Sequence, residues 1–239
     1  LGGSLRIPAS FCSVVGLRPS PGRIARGPTP LPFDVMNVEG PMGRNVNDVA
    51  LMLDAMSGWN ISDPISMPDP TTSFVAGLEN PTIPRRVAFS RDLGFLPVNE
   101  EVAEICAGAC RQFERLGAVV ENICPDLTDA AEIFQTLRAA HFAARYAPLL
   151  AERRAALKPE IIWNIEKGLE LTADEIGRAE RARASMYERV SRFFQEFDLL
   201  ICPTVAVPPF DVDIRYLTEV AGHQFDNYVD WAGFTYAIT

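Results

Sequence analysis

The sequence has no apolar run of about 20 residues, the length that a membrane-spanning helix needs. Positive charge is also scarce. Lysine and arginine together number 22 against 31 aspartates and glutamates, so the net charge is −9. A nucleic-acid-binding surface needs clustered positive charge, and this composition argues against one. The sequence therefore predicts a protein without a membrane span and without a nucleic-acid partner.

Cysteine is sparse, and its pattern fits neither a disulfide framework nor a metal site. The five cysteines are Cys12, Cys106, Cys110, Cys124 and Cys202, an odd number without a C-x-x-C pair. Cys106 and Cys110 can share a helix face, but neither His141 nor His223 is near them in sequence, so we expect no metal there. Free thiols in a reducing cytoplasm are the simplest interpretation.

The most informative segment is Gly2-Gly3-Ser4. Glycines adopt strained backbone conformations and leave neighbouring N–H groups uncovered. Such N–H groups can converge on a developing oxyanion, so Ser4 is a candidate nucleophile beside its own oxyanion hole. A flexible linker or an ordinary turn has the same composition. The apolar stretch at residues 5–16 follows without a break and argues against a linker.

Two other side chains near this segment have competing interpretations. Arg6 either contacts substrate or holds the strained loop through its five donors, and we favour the second role. Cys12 is a weaker alternative nucleophile, because it lies in an apolar run without an evident base.

Several segments resemble the amidase signature family. They are GGSLRIPA at residues 2–9, GLRP at 16–19, GPMGR at 40–44 and DLLICPT at 198–204. The first is highly specific and the later ones moderately so. The resemblance implies a Ser–cis-Ser–Lys triad in which Ser4 attacks an amide carbonyl. It also implies that backbone N–H groups of Leu1, Gly2 and Gly3 hold the oxyanion, and that no cofactor is needed.

In the family, the relay serine and the basic lysine lie upstream of the nucleophile, so neither is assigned to a residue of this chain. The two lysines, Lys158 and Lys167, match no family motif. Residues 231–239 stop where the family continues into a further strand. We therefore expect residues 1–239 to be a single, partial amidase domain, from the nucleophile motif onward, and to be inactive alone.

Strand and helix patterns alternate and predict an α/β fold. Strands at 86–90 and 118–123 flank a helix that Asn99 caps and Gly117 ends, which implies a parallel pair. Its predicted buried face includes Ile105, Cys110 and Leu116. An earlier helix is capped by Asn45 or Asn47, and the proline-containing stretch at 59–84 is a predicted loop.

The stretch from about 126 to 197 is predicted to be helical, with breaks near Pro148, Pro159 and Gly168. Thr172 and Glu175 form a capping box for its last helix, whose predicted buried stripe ends at Phe193, Phe194 and Phe197. A buried strand follows at 199–202. The family resemblance sharpens the fold to a large mixed sheet wrapped by helices, incomplete in this chain.

Three functions remain open. We favour an amidase that cleaves an aryl or alkyl amide to acid plus ammonia or amine through a seryl acyl-enzyme. The second is the amidotransferase A-type subunit, which supplies ammonia for tRNA-dependent amidation and whose usual segment is replaced here at residues 22–30. The third is a non-catalytic, amidase-like binding fragment. A Ser-His-Asp hydrolase is disfavoured because GGSLR is not G-x-S-x-G. A small-molecule amide is the expected partner, and a homodimer remains open.

Overall fold

The computed structural model describes residues 2–239, which form two structural units. The first unit contains residues 2–82 together with Thr239, and the second contains residues 83–238. The prediction of one partial domain remains a prediction.

The first unit is built from short strands and helices. Its elements are α1 (Arg6–Phe11), β1 (Val15–Gly16), β2 (Met42–Gly43), α2 (Val46–Met56) and α3 (Phe74–Gly77). Strands β1 and β2 pair antiparallel, with Val15 opposite Gly43. Two of the segments that carry the family resemblance therefore lie side by side.

Side-chain caps define the helices of the first unit. Asn45, one of the two predicted caps, accepts a hydrogen bond from the backbone N–H of Asp48 at 2.9 Å and starts α2. The carboxylate of Asp54 on α2 accepts hydrogen bonds from the backbone N–H groups of Phe74 and Val75, which lowers the pKa of Asp54. These bonds stabilise α3, a short helix inside the stretch for which the sequence predicts a loop.

The second unit combines a sheet with a helical region. Its elements are β3 (Arg86–Phe89), α4 (Glu100–Arg115), β4 (Val119–Asn122), α5 (Ala130–Arg153), α6 (Pro159–Glu170), α7 (Ala173–Phe193), β5 (Leu199–Ile201), β6 (Glu219–Val220), β7 (His223–Gln224) and α8 (Gly233–Ala237). The sheet order is β4-β3-β5 with all strands parallel, which confirms the predicted strand–helix–strand unit. The α/β class is confirmed as well.

Helix α4 packs on the sheet through part of the predicted face. Asn99 caps it as expected, and Cys110 packs against the buried side chains of Val87 and Phe89. Ile105, however, is 64% exposed. At 3.6 residues per turn, Ile105 points about 140° away from Cys110, so both cannot face the sheet. Burial raises the pKa of the Cys110 thiol.

The helical region has fewer breaks than predicted. Pro148 lies inside α5, and the helix continues past it to Arg153. Gly168 lies inside α6, whereas Pro159 occupies the first turn of that helix, as proline prefers. The break between α5 and α6 lies at residues 154–158.

Helix α7 begins as predicted, but the predicted buried stripe is only partly buried. Thr172 and Glu175 form the complete capping box. Of the predicted stripe, Phe197 is buried, but Phe194 is 45% exposed. Strand β5 lies at an edge of the described sheet, and its residue Leu199 is likewise partly exposed. Within residues 2–239, no helix combines the length and the apolarity that crossing a bilayer requires.

Candidate active site

The two glycines before Ser4 adopt backbone conformations that other residues rarely take. The φ angle is 85° at Gly2 and 113° at Gly3. They lead the chain into the turn that precedes α1, where Gly3 is buried and Ser4 is exposed. Within the described part of the chain, the Ser4 side chain makes no hydrogen bond. The geometry therefore presents a serine hydroxyl on a turn that only glycine can form without strain.

Hydrogen bonds at the start of α1 fix this turn. The Gly3 carbonyl accepts a hydrogen bond from the Ile7 N–H at 2.9 Å, and the Leu5 carbonyl accepts one from the Ala9 N–H at 3.3 Å. Pro8 has no N–H, so it cannot donate the corresponding helical bond to the Ser4 carbonyl. Proline is tolerated there because it lies in the first turn of the helix.

A close backbone approach holds α1 in place. A Cβ atom at Gly16 would lie 2.6 Å from the Leu5 carbonyl oxygen and 2.6 Å from the Ala9 Cβ atom. Only glycine permits this contact, because real Cβ atoms do not approach neighbours so closely. Gly16 of the GLRP segment therefore packs against the backbone of Leu5, the residue that directly follows Ser4.

Ser4 is one of the residues that line a small cavity in the first unit. The cavity has a volume of about 30 Å³ and is lined by Gly2, Gly3, Ser4, Leu5, Arg6, Arg18, Met36, Val38 and Thr239. This volume accommodates about one or two water molecules. Within the first unit, the site can therefore hold an oxygen-sized group, such as the oxyanion of an acyl-transfer intermediate.

Two arginines give the cavity positive charge. Arg6 donates a hydrogen bond from Nη2 to Oγ1 of Thr239 at 2.7 Å. Arg18 donates long hydrogen bonds to the carbonyls of Pro19 and Val35, at 3.4 and 3.5 Å. Desolvation by burial lowers the pKa of the Arg18 guanidinium. Positive charge beside a nucleophile favours a negative charge that develops there.

The structure brings together some of the site residues that the sequence predicts. Gly2, Gly3, Ser4 and Arg6 line one cavity. Leu1 lies outside the described residues, so its proposed N–H contribution remains a prediction. Sequence reasoning missed Arg18, although its GLRP segment is part of the family resemblance.

Thr239 and the loop residues Met36 and Val38 also line the cavity, and no sequence signal indicates them. Cys12 is exposed and does not line this cavity. Lys158 and Lys167 lie in the second unit, next to and within α6. His141 is buried and lies on an inward face of α5.

The family model described as Amidase matches residues 1–239. An acylamidase from Rhodococcus erythropolis is 32% identical over 237 residues, which cover 98% of this chain and 50% of that protein. The A-type subunit of the glutamyl-tRNA(Gln) amidotransferase from Thermus thermophilus is 32% identical over 260 residues, which cover 98% of this chain and 54% of that protein.

Among solved structures, a bacterial aryl acylamidase of the amidase signature family superimposes with a TM-score of 0.85. It is 24% identical in sequence, and the match covers 99% of this chain and 52% of that one. At this identity the likeness shows the fold alone. The chain spans about half the length of the curated relatives it matches.

Proposed function

The chain belongs to the amidase family, and on that premise we propose that the full-length protein hydrolyses a small carboxylic amide with Ser4 as nucleophile. The observation that carries the proposal is the geometry around Ser4. An exposed serine follows two glycines with positive φ and lines a cavity of oxygen size.

The proposed reaction has two steps. Ser4 Oγ attacks the amide carbonyl carbon, the C–N bond breaks, and the serine proton leaves with the amine. Water then attacks the resulting ester, releases the acid and returns the proton to Ser4. We assign the oxyanion to the cavity at Gly2 and Gly3, where the guanidinium of Arg18 adds positive charge.

Activation of Ser4 needs a base, because a serine hydroxyl is a weak nucleophile at neutral pH. We propose the relay serine and lysine of the amidase signature family for this role, at positions upstream of Ser4 in the full-length protein. The hydrogen-bonding capacity of the Ser4 hydroxyl, which no described side chain uses, is consistent with this arrangement.

For the substrate, we favour an aryl or alkyl amide. The similarity to the acylamidase from Rhodococcus erythropolis supports this class. The second candidate is an amidotransferase A-type subunit, which the similarity to the Thermus protein favours. We also propose a cytoplasmic location, which the free state of the cysteines supports.

Incubation of the full-length protein with a nitroanilide and, separately, with glutamine distinguishes the two candidates. We expect nitroaniline release that saturates with substrate, and little ammonia release from glutamine. Nitroaniline is measured by absorbance and ammonia by a coupled enzyme assay. Preferential glutamine hydrolysis would favour the amidotransferase role, and activity on neither substrate would contradict the proposed substrate class.

A further inference from the structure

The second unit contains a larger cavity that the proposed function does not use. Its volume is about 470 Å³, and it lies between residues 95–97, the start of α5 and residues 223–230. Small-molecule sites typically occupy about 300–1,000 Å³ and combine apolar walls with a few polar groups. Here Phe95, Leu96 and Phe225 supply much of the apolar wall.

Tyr236 contributes a polar group on a largely buried side chain to this cavity. Its side chain is only 5% exposed, and its ring stacks on Phe134 with centroids 4.8 Å apart. The hydroxyl has no hydrogen-bond partner among residues 2–239. Burial, and secondarily the charge of Asp230, raise the pKa of Tyr236, so the phenol stays neutral at physiological pH. The hydroxyl is open to the cavity, and a ligand there can offer it the fixed hydrogen bond that the described residues do not supply.

The charged side chains of the cavity give it a negative balance. Three carboxylates line it, those of Glu132, Asp226 and Asp230, against the single ammonium of Lys167. His223 and Tyr236 are the other titratable side chains of the wall. A cavity lined mainly by one sign of charge attracts ligands of the opposite sign.

The polar groups are also held in fixed positions by each other. Lys167 Nζ donates a hydrogen bond to Oε1 of Gln135 at 3.0 Å and lies 5.0 Å from the centre of the Trp163 ring. Gln135 Nε2 donates to Oδ1 of Asp230 at 2.7 Å, and Asn227 Nδ2 donates to Oδ2 of Asp230 at 2.9 Å. Lys167 is thus already engaged, and the cavity is preorganised before a ligand enters.

We propose that this cavity binds a small organic ammonium ion with an aromatic or aliphatic body. The ammonium donates a hydrogen bond to the Tyr236 hydroxyl, while Glu132 and Asp226 provide the attracting charge. The aromatic rings of Phe95 and Phe225 contact the body, and aromatic faces attract cations. Binding does not require the chemistry of Ser4.

Titration calorimetry on the full-length protein with Ser4→Ala tests the proposal apart from turnover. The probe is benzylammonium, compared with benzyl alcohol and benzoate. We expect saturable binding of benzylammonium. Benzyl alcohol and benzoate should each bind at least about tenfold more weakly, because hydrogen bonds that involve a charged group are stronger than neutral ones. Tyr236→Phe is expected to weaken benzylammonium binding about 3- to 10-fold, the loss of one hydrogen bond.

Tyr187→Phe is the matched control, because Tyr187 is 71% exposed on α7 and outside the cavity. It should bind benzylammonium as the parent does. Glu132→Gln changes a carboxylate at the cavity and should weaken binding about threefold even if Tyr236→Phe fails to fold. No binding of benzylammonium, equal binding of benzoate, or unchanged affinity in both cavity variants would overturn the proposal.

Discussion

Replacement of Ser4 by alanine is expected to lower amide turnover of the full-length protein about a thousandfold or more, because the acyl-enzyme route closes. The fold should not change. Ser4 is exposed, and its side chain makes no hydrogen bond within the described residues. The measurement is kcat on a nitroanilide, together with the melting temperature of the variant.

Ser10→Ala is the matched control for this loss. Ser10 is an exposed serine on α1, within two turns of Ser4 and outside the cavity. Its replacement should leave kcat unchanged. If Ser4→Ala keeps most of the parent activity, Ser4 is not the nucleophile, whatever the effect of Ser10→Ala.

Gly16→Ala is expected to reduce both stability and activity. The new Cβ atom would lie 2.6 Å from the Leu5 carbonyl oxygen, so α1 must move. Overpacking of this kind costs about 1–3 kcal/mol of unfolding free energy, which urea titration measures. Because Leu5 directly follows Ser4, a shift of about 1 Å there should lower kcat/KM about a hundredfold.

Gly77→Ala provides the comparison, since a Cβ atom at Gly77 on α3 would meet nothing within 4 Å. This variant should match the parent in activity and be at least as stable, because alanine favours a helix more than glycine does. Equal effects of the two substitutions would contradict the packing role of Gly16.

The sequence predicts the features that depend on neighbours along the chain. The caps at Asn99 and Thr172 could be identified because a cap bonds to N–H groups within the next three residues. Burial on the helices is less predictable. Ile105 and Phe194 fit an apolar helical pattern, yet both are exposed. Which face of a helix is buried depends on the elements that pack against it, and the helical period alone does not contain that information.

The residues of the candidate sites were likewise predictable only where they are neighbours along the chain. Gly2, Gly3 and Ser4 are contiguous, so their motif could be recognised directly. The contact between Arg6 and Thr239 joins residues 233 positions apart, and no local pattern indicates it. Core packing and a pocket wall are both compatible with the sequence at Tyr236, and in the structure this side chain does both.

Covalent labelling with a fluorophosphonate probe, followed by peptide mass spectrometry of the full-length protein, tests the assignment of the nucleophile most directly. We expect one adduct, on Ser4, because the probe reacts with an activated serine hydroxyl. Ser10 and Ser13 should remain unmodified, and Ser4→Ala should abolish labelling. An adduct on another residue, or labelling that persists in Ser4→Ala, would contradict the role of Ser4.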